Sequence, residues 1–103
     1  MNNTTEISLV EKFEKAAVIL KTVAHPARLA IIQMLKGGKT KMSVNEICEA
    51  LEMEQSLVSH HLNNMKLRGI LACERDGKQI LYHLKEKDVY KVINCIESCN
   101  CNM

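Results

Sequence analysis

Three cysteines lie within seven residues near the C-terminus: Cys95, Cys99 and Cys101. Cys95 and Cys99 are four residues apart, which places both on one face of a helix. Cys101 would join them only if the chain unwinds after Ser98, because on an ideal helix it lies about 200° round from Cys99. Three thiolates suit a thiophilic ion such as trivalent arsenic or antimony, whereas zinc would need a fourth ligand. The cluster predicts a sensing site, first for arsenite or antimonite, then for a redox or persulfide signal, then for zinc or another divalent metal.

The other two cysteines, Cys48 and Cys73, match core-facing positions and are interpreted as small buried hydrophobes. An odd count of five, behind a polar segment at residues 1–8, does not indicate a secreted disulfide scaffold. We therefore expect a reducing, cytoplasmic compartment. No apolar run approaches the roughly 18 residues of a membrane span, so no membrane partner is expected.

A second set of chemically active side chains lies on a helix predicted over residues 55–68. Val58, Leu62 and Met65 would pack against the domain. At about 100° per residue, the opposite face carries polar groups with no acid and no large apolar side chain, namely Ser56, Ser59, His60 and Asn63, with Gln55 at the helix start. Such a face suits a DNA major groove, where asparagine can pair an adenine edge and serine can contact base or phosphate. The alternative is a solvated face, although those usually carry Lys and Glu.

The adjacent histidines on this helix diverge, so one metal ion cannot easily take both. His60 is predicted to point outward, toward DNA, and His61 to pack beside the apolar stripe. A hairpin follows, with Asp76-Gly77 expected to form the turn and both residues at positive φ. Arg75 and Lys78 flank that turn, where two cations would reach phosphates or the minor groove.

The elements that position these residues follow from periodicity and from helix-ending signals. Pro26 suits the first turn of a helix, Gly37 and Gly38 suit a helix end, and Ser43 with Glu46 reads as a capping box. Helices are predicted over about 8–24, 26–36, 44–51, 55–68 and 86–98, and strands over 70–75 and 78–84. The fold class is mainly α (α+β): a winged helix-turn-helix of five helices with a two-stranded β-hairpin wing, in the order ααααββα. Residues 1–103 are expected to form one domain.

Charge is distributed unevenly although the net charge is only +2. Residues 21–41 hold five Lys and Arg residues and no acid, which is compatible with phosphate contact and equally with a solvated surface loop.

There is no glycine-rich phosphate loop, no zinc-hydrolase spacing and no nucleophile–base triad. An enzyme is therefore not predicted.

Four segments together resemble the ArsR/SmtB family of bacterial metal- and thiol-responsive repressors, over roughly residues 9–96. They are Ala24-His25-Pro26-Ala27-Arg28-Leu29, Val58-Ser59-His60-His61-Leu62, Gly69-Ile70-Leu71 and Gly77-Lys78-Gln79-Ile80-Leu81-Tyr82. The resemblance implies a homodimer formed through the first and last helices, which binds inverted-repeat double-stranded operator DNA and releases it when an inducer binds. DNA binding itself would require no cofactor.

The resemblance implies only incomplete versions of the sensing sites of this family. For the arsenic-type site on the third helix, Cys48 stands alone. For the persulfide-sensing pair, Gln33 takes the position of the first cysteine. The zinc-type site would fall on Glu86, Asp88, Cys99 and Asn102, without the usual histidines.

The prediction is a homodimeric repressor released by a thiophilic inducer at Cys95, Cys99 and Cys101. Clamping these cysteines would shift the last helices and change the separation of the two DNA-reading helices. The same repressor sensing reactive sulfur, redox state or a divalent metal is an alternative. A cysteine-rich metal-buffering protein and a DNA-binding protein without an effector are two further ones.

Overall fold

The computed structural model describes residues 2–37 and 40–98. Its elements are α1 (Asn2–Val23), α2 (Pro26–Gly37), β1 (Lys41–Ser43), α3 (Val44–Leu51), α4 (Gln55–Leu67), β2 (Leu71–Asp76), β3 (Gln79–Leu84) and α5 (Lys87–Ser98). The predicted helices and hairpin are confirmed. A third strand, β1, joins the hairpin, so the described order is ααβααββα rather than ααααββα.

The core is aliphatic, as a chain with a single phenylalanine and no tryptophan requires. Its fully buried side chains come from α2, α3, α4, the first residue of β2 and the residue before it: Ile31, Ile32, Leu35, Ile47, Val58, Leu62, Met65, Ile70 and Leu71. Burying an aliphatic side chain of this size stabilises a fold by about 1.5–3 kcal/mol. The prediction that α2 is the central helix is confirmed in its middle turns, where Leu29 and Met34 also pack against this cluster.

The break between α1 and α2 lies at His25, as the following proline predicts. His25 Nδ1 accepts a hydrogen bond from the backbone N–H of Ala27 at 3.3 Å, and its carbonyl accepts one from Leu29 N at 2.9 Å, so His25 caps α2. Among the described residues no single helix is long and apolar enough to span a membrane; Leu9–Val23 and Pro26–Lys36 reach that length and composition only as a pair bent by 97°. Helix α1 begins at Asn2 rather than near residue 8, because the segment before Leu9 is mostly polar and shows no apolar period.

The start of α3 is held by the predicted capping box. Ser43 Oγ accepts from the backbone N–H of Glu46 at 3.2 Å, and Glu46 Oε1 accepts from the N–H of Ser43 at 2.9 Å. Two backbone donors that have no partner inside the helix are thereby satisfied. Ser43 is also the last residue of β1, so one residue ends the strand and caps the helix.

The connection from α3 to α4 turns on Glu52, which adopts the left-handed conformation with φ 54° and ψ 48°. Glycine is the usual residue there because it has no Cβ to clash with the following carbonyl. The N–H of Glu52 bonds to the carbonyl of Cys48, and the N–H of Met53 bonds to the same oxygen at 3.2 Å. These contacts hold the tight turn that the sequence predicts, in spite of the missing glycine.

The wing is an antiparallel sheet in the order β1-β3-β2. Asp76 pairs with Gln79, so the two turn residues are Gly77 and Lys78, not Asp76 and Gly77. Gly77 has φ 67°, and Asp76 is not at positive φ. The expected turn is therefore wrong by one residue, and a glycine at the first turn position with positive φ is the pattern of a type II′ turn. Strand β1 was not predicted because three residues are too few to show a period of two.

Candidate nucleic-acid interface and sensing residues

Helix α4 separates its side chains into a packed face and a solvent face, as predicted. Val58, Leu62 and Met65 are completely buried. The solvent side holds the predicted DNA-contacting residues: Gln55, Ser56, His60 and Asn63 are exposed, and Ser59 is half-buried. Their donors and acceptors are thus available to a groove along one side of the helix.

One expectation about this face is wrong. It was predicted to carry no large apolar side chain, yet Leu67 at its C-terminal end is 75% exposed. Leu67 is the last residue of α4 and lies about one turn beyond Asn63 on the same side.

The side chains of His60 and Asn64 lie against each other on the edge of this face. Asn64 Nδ2 is 3.4 Å from His60 Nε2 and 3.5 Å from the His60 carbonyl oxygen. The contact orients the His60 ring while leaving the residue exposed. His60 therefore points to solvent as predicted.

The tip of the wing presents the two predicted cations. Arg75 near the end of β2 and Lys78 in the turn are both exposed, and Asp76 between them is exposed as well. Arg75 lies opposite Ile80, which is 41% exposed. The tip of the wing thus presents two positive charges with one negative charge between them.

Lys41, one of the five cations counted over residues 21–41, is engaged within the wing. Its Nζ lies 2.9 Å from Glu74 Oε2, across the sheet from β1 to β2. The hydrogen bond from Lys41, and then its positive charge, hold the pKa of Glu74 below the ordinary value. The positive charge of Lys41 is therefore offset by the carboxylate of Glu74.

A polar contact that the sequence did not predict helps to hold α4 in place. Arg28 of α2 donates from Nε to His61 Nδ1 at 3.0 Å and from Nη1 to the carbonyl of Thr22 in α1 at 2.9 Å. His61 is 3% exposed, which confirms the packing role predicted for it. The signal for this contact was a lone arginine in an otherwise apolar helix segment.

Helix α5 carries Cys95, which is exposed and forms no disulfide bond among the described residues. The other two residues of the predicted trio, Cys99 and Cys101, lie outside the described residues, as does Asn102 of the zinc-type set. Within residues 2–37 and 40–98 no three His, Cys, Asp or Glu side chains are grouped to hold a metal ion. Cys48 and Cys73 are half-buried, and Cys48 packs against the core.

The outer faces of α1 and α5 are apolar and open to solvent. On α1 Leu9, Val10, Phe13 and Leu20 are each more than half exposed, and on α5 Val92 is 47% and Ile96 69% exposed. A groove of about 610 Å³ runs between the two helices, lined by residues such as Ile19 and Val89. Exposed apolar side chains on two neighbouring helices are typical of an interaction surface.

Comparison with known proteins gives a consistent result. The model of the bacterial regulatory protein, arsR family, matches residues 25–72, from the cap of α2 into β2. A helix-turn-helix-type transcriptional regulator of Methanocaldococcus jannaschii is 34% identical over 88 residues, which cover 85% of this chain and 98% of that protein.

Solved structures agree with the fold. The crystal structure of the transcriptional repressor PagR of Bacillus anthracis superimposes with a TM-score of 0.76 at 33% identity, over 84% of this chain and 98% of that one. A homodimeric winged helix-turn-helix DNA-binding domain from Mycobacterium bovis has a TM-score of 0.73 at 24% identity, over 85% of this chain and 80% of that one. The second likeness bears on the fold alone.

Proposed function

This chain belongs to the arsR family of bacterial regulatory proteins, and on that basis we propose that it is a homodimeric repressor released from its operator by a thiophilic inducer. The family consists of DNA-binding transcriptional regulators and not of enzymes.

The observation that carries the DNA-binding proposal is the acid-free solvent face of α4 beside the cationic wing. Gln55, Ser56, Ser59, His60 and Asn63 would meet the base edges and phosphates of a major groove. Arg75 and Lys78 would meet the phosphates that flank it, where each cation adds affinity without adding sequence preference. The same arrangement would be unnecessary in a metal-buffering protein.

Association into a homodimer is supported by the exposed apolar residues of α1 and α5. Phe13, Leu20 and Ile96 are each more than half exposed, and a second copy would remove them from water. A twofold dimer would present two α4 helices to an inverted repeat, whose half-sites are spaced by about 34–36 Å. Inducer binding that moved α5 would alter this spacing.

The inducer is proposed to be trivalent arsenic or antimony, bound by Cys95, Cys99 and Cys101. Cys95 supports this proposal because it is exposed on α5, the helix that also carries the exposed apolar residues Val92 and Ile96. Exposure equally permits oxidation or persulfide formation at the same sulfur. Reactive sulfur or redox state is therefore the second candidate, and zinc or another divalent metal the third.

Fluorescence anisotropy on promoter DNA tests both parts of the proposal. The buffer would contain a phosphine reductant, because a dithiol would compete for the ion, and arsenite, zinc or a persulfide would be added in turn. Selective binding that arsenite relieves is the expected result. The Cys95→Ser, Cys99→Ser, Cys101→Ser triple variant should bind DNA and ignore arsenite, whereas the matched control Cys73→Ser should respond like the wild type.

Other outcomes separate the alternatives. Relief by persulfide alone would replace arsenite as inducer while keeping the cysteine site. Binding that no additive changes would contradict the cysteine site and favour an effector-independent DNA-binding protein. Tight metal binding without any sequence preference for DNA would contradict the operator proposal and favour a metal buffer.

A further inference from the structure

Arg28 connects three helices through two hydrogen bonds. It stands in the first turn of α2, and its guanidinium reaches the Thr22 carbonyl near the end of α1 at 2.9 Å and the His61 ring in the middle of α4 at 3.0 Å. His61 is separated from Arg28 by 33 residues along the chain. These two hydrogen bonds therefore link α4, the proposed DNA-reading helix, to α1 and α2.

The link requires His61 to be neutral. A guanidinium can only donate, so His61 Nδ1 must accept, and the proton of the neutral ring is placed on Nε2. That Nε2 is buried and has no hydrogen-bond partner among the described residues. A second proton would have to enter on Nδ1, directly in front of the Arg28 Nε–H.

The surroundings of His61 oppose a positive charge. The titratable and charged groups that act on it are His25 at the cap of α2, Arg28 in α2 and His60 in α4. The His25 ring centroid is 4.5 Å from that of His61, and the His60 ring centroid is 5.9 Å away. All three groups are cationic when protonated and none is an acid. Burial first, and then these groups, lower the pKa of His61 below the ordinary 6.5.

We propose that Arg28 and His61 form a proton-sensitive clasp that positions α4 for DNA binding. The idea rests on the proposed DNA-binding role of α4. With His61 neutral, the clasp holds the packed side of the helix whose other side carries Ser59, His60 and Asn63. Protonation of His61 Nδ1 from solvent leaves two donors facing each other and breaks the link to Arg28. Arg28 is thus a positioning residue that contacts no DNA, and acid weakens operator binding.

Two readouts test the clasp, and the first needs no DNA and no variant. Nitrogen-15 spectra of the histidine rings in the wild-type protein should show a His61 ring protonated on Nε2 near neutral pH. As the pH falls below 6.5, its titration should shift the backbone amide signals of residues 59–63. A His61 proton on Nδ1 at neutral pH, or a titration that leaves those amides unmoved, would overturn the proposal.

The second readout is operator affinity between about pH 7.5 and about pH 5. His61→Asn keeps an acceptor near the position of Nδ1 and does not titrate, so its affinity should be less acid-sensitive than the wild type's by roughly tenfold, within the usual span of coupling between sites. His83→Gln removes a histidine from β3 and should keep the wild-type profile.

Arg28→Lys preserves the positive charge, but a single ammonium group cannot replace the hydrogen bonds to both His61 and the Thr22 carbonyl. It should lower affinity at about pH 7.5 roughly tenfold with an unchanged salt dependence, because no phosphate contact is lost. Identical pH profiles for wild type and His61→Asn would contradict the clasp. A wild-type protein without selective DNA binding at any pH would contradict the proposed function instead, and the ring titration would still decide the clasp.

Discussion

The side chain of Lys36 in α2 lies over the ring of Tyr90 in α5, with Nζ 5.3 Å from the ring centroid. Tyr90 also packs against the core. The pair therefore fixes the helix that carries Cys95 to the central helix of the fold. A cation over an aromatic face contributes about 0.5–1 kcal/mol at an exposed site.

A double-mutant cycle measures this contact. Lys36→Met keeps the apolar stem, Tyr90→Leu keeps an apolar side chain, and the coupling between them in urea unfolding should be about 0.5–1 kcal/mol. Lys91→Met serves as control, because Lys91 is largely exposed and makes only a 3.7 Å ion pair with Asp88. Coupling no larger than for Lys91→Met with Tyr90→Leu would mean that the contact contributes nothing.

Asn63→Ala tests the reading face of α4. The loss of a paired base edge should cost about 1–3 kcal/mol of operator binding and relax the preference at one base position. Competition between the operator and single-base variants measures both effects. Asn94→Ala on exposed α5 is the matched control and should change neither. An equal loss on all sequences would show that Asn63 contacts the backbone rather than a base.

Lys78→Gln tests the wing. A lost phosphate contact should weaken binding to every DNA sequence and reduce the salt dependence of log affinity by about one. Anisotropy over a salt series gives this slope. Lys91→Gln makes the same change of charge on α5 and should leave the slope unaltered. An unchanged slope for Lys78→Gln would remove the wing tip from the interface.

Glu52→Gly should stabilise the fold, since Glu52 is held in the left-handed region. Relief of strain of about 1–2 kcal/mol exceeds the entropy that glycine adds to the unfolded chain, so a net gain of about 0.5–1 kcal/mol is expected. Glu49→Gly, inside α3, should instead cost about 1 kcal/mol. Urea unfolding distinguishes the two signs, and a destabilised Glu52→Gly would show that its side chain makes a needed contact.

Acid should destabilise the protein in two separate ranges. The pKa of His61 is lowered below 6.5 in the folded state, so the unfolded chain takes up the proton first as the pH falls. The resulting stability is complete above 6.5 and declines from 6.5 down to the folded pKa. The pKa of Glu74 is lowered below 4.5, so its contribution is lost only below that value. Unfolding of His61→Asn across this range should lack the upper decline, while His83→Gln should retain it.

Local signals in the sequence predicted most of the elements. Pro26 after His25 placed the break between the first two helices, and Ser43 with Glu46 predicted the start of α3, because capping is satisfied within four residues. The buried and polar faces of α4 also follow from the period of an α-helix. These interactions depend on neighbours in the chain, so a single sequence contains the information needed to recognise them.

Features that depend on distant partners required the tertiary structure. Strand β1 forms because Lys41–Ser43 pair with β3. The turn residues are Gly77 and Lys78 because the register between β2 and β3 pairs Asp76 with Gln79. The contact between Arg28 and His61 joins residues 33 positions apart, and no spacing rule connects them. The polar face could be read from α4 alone, whereas the orientation of that helix is decided by side-chain contacts between helices.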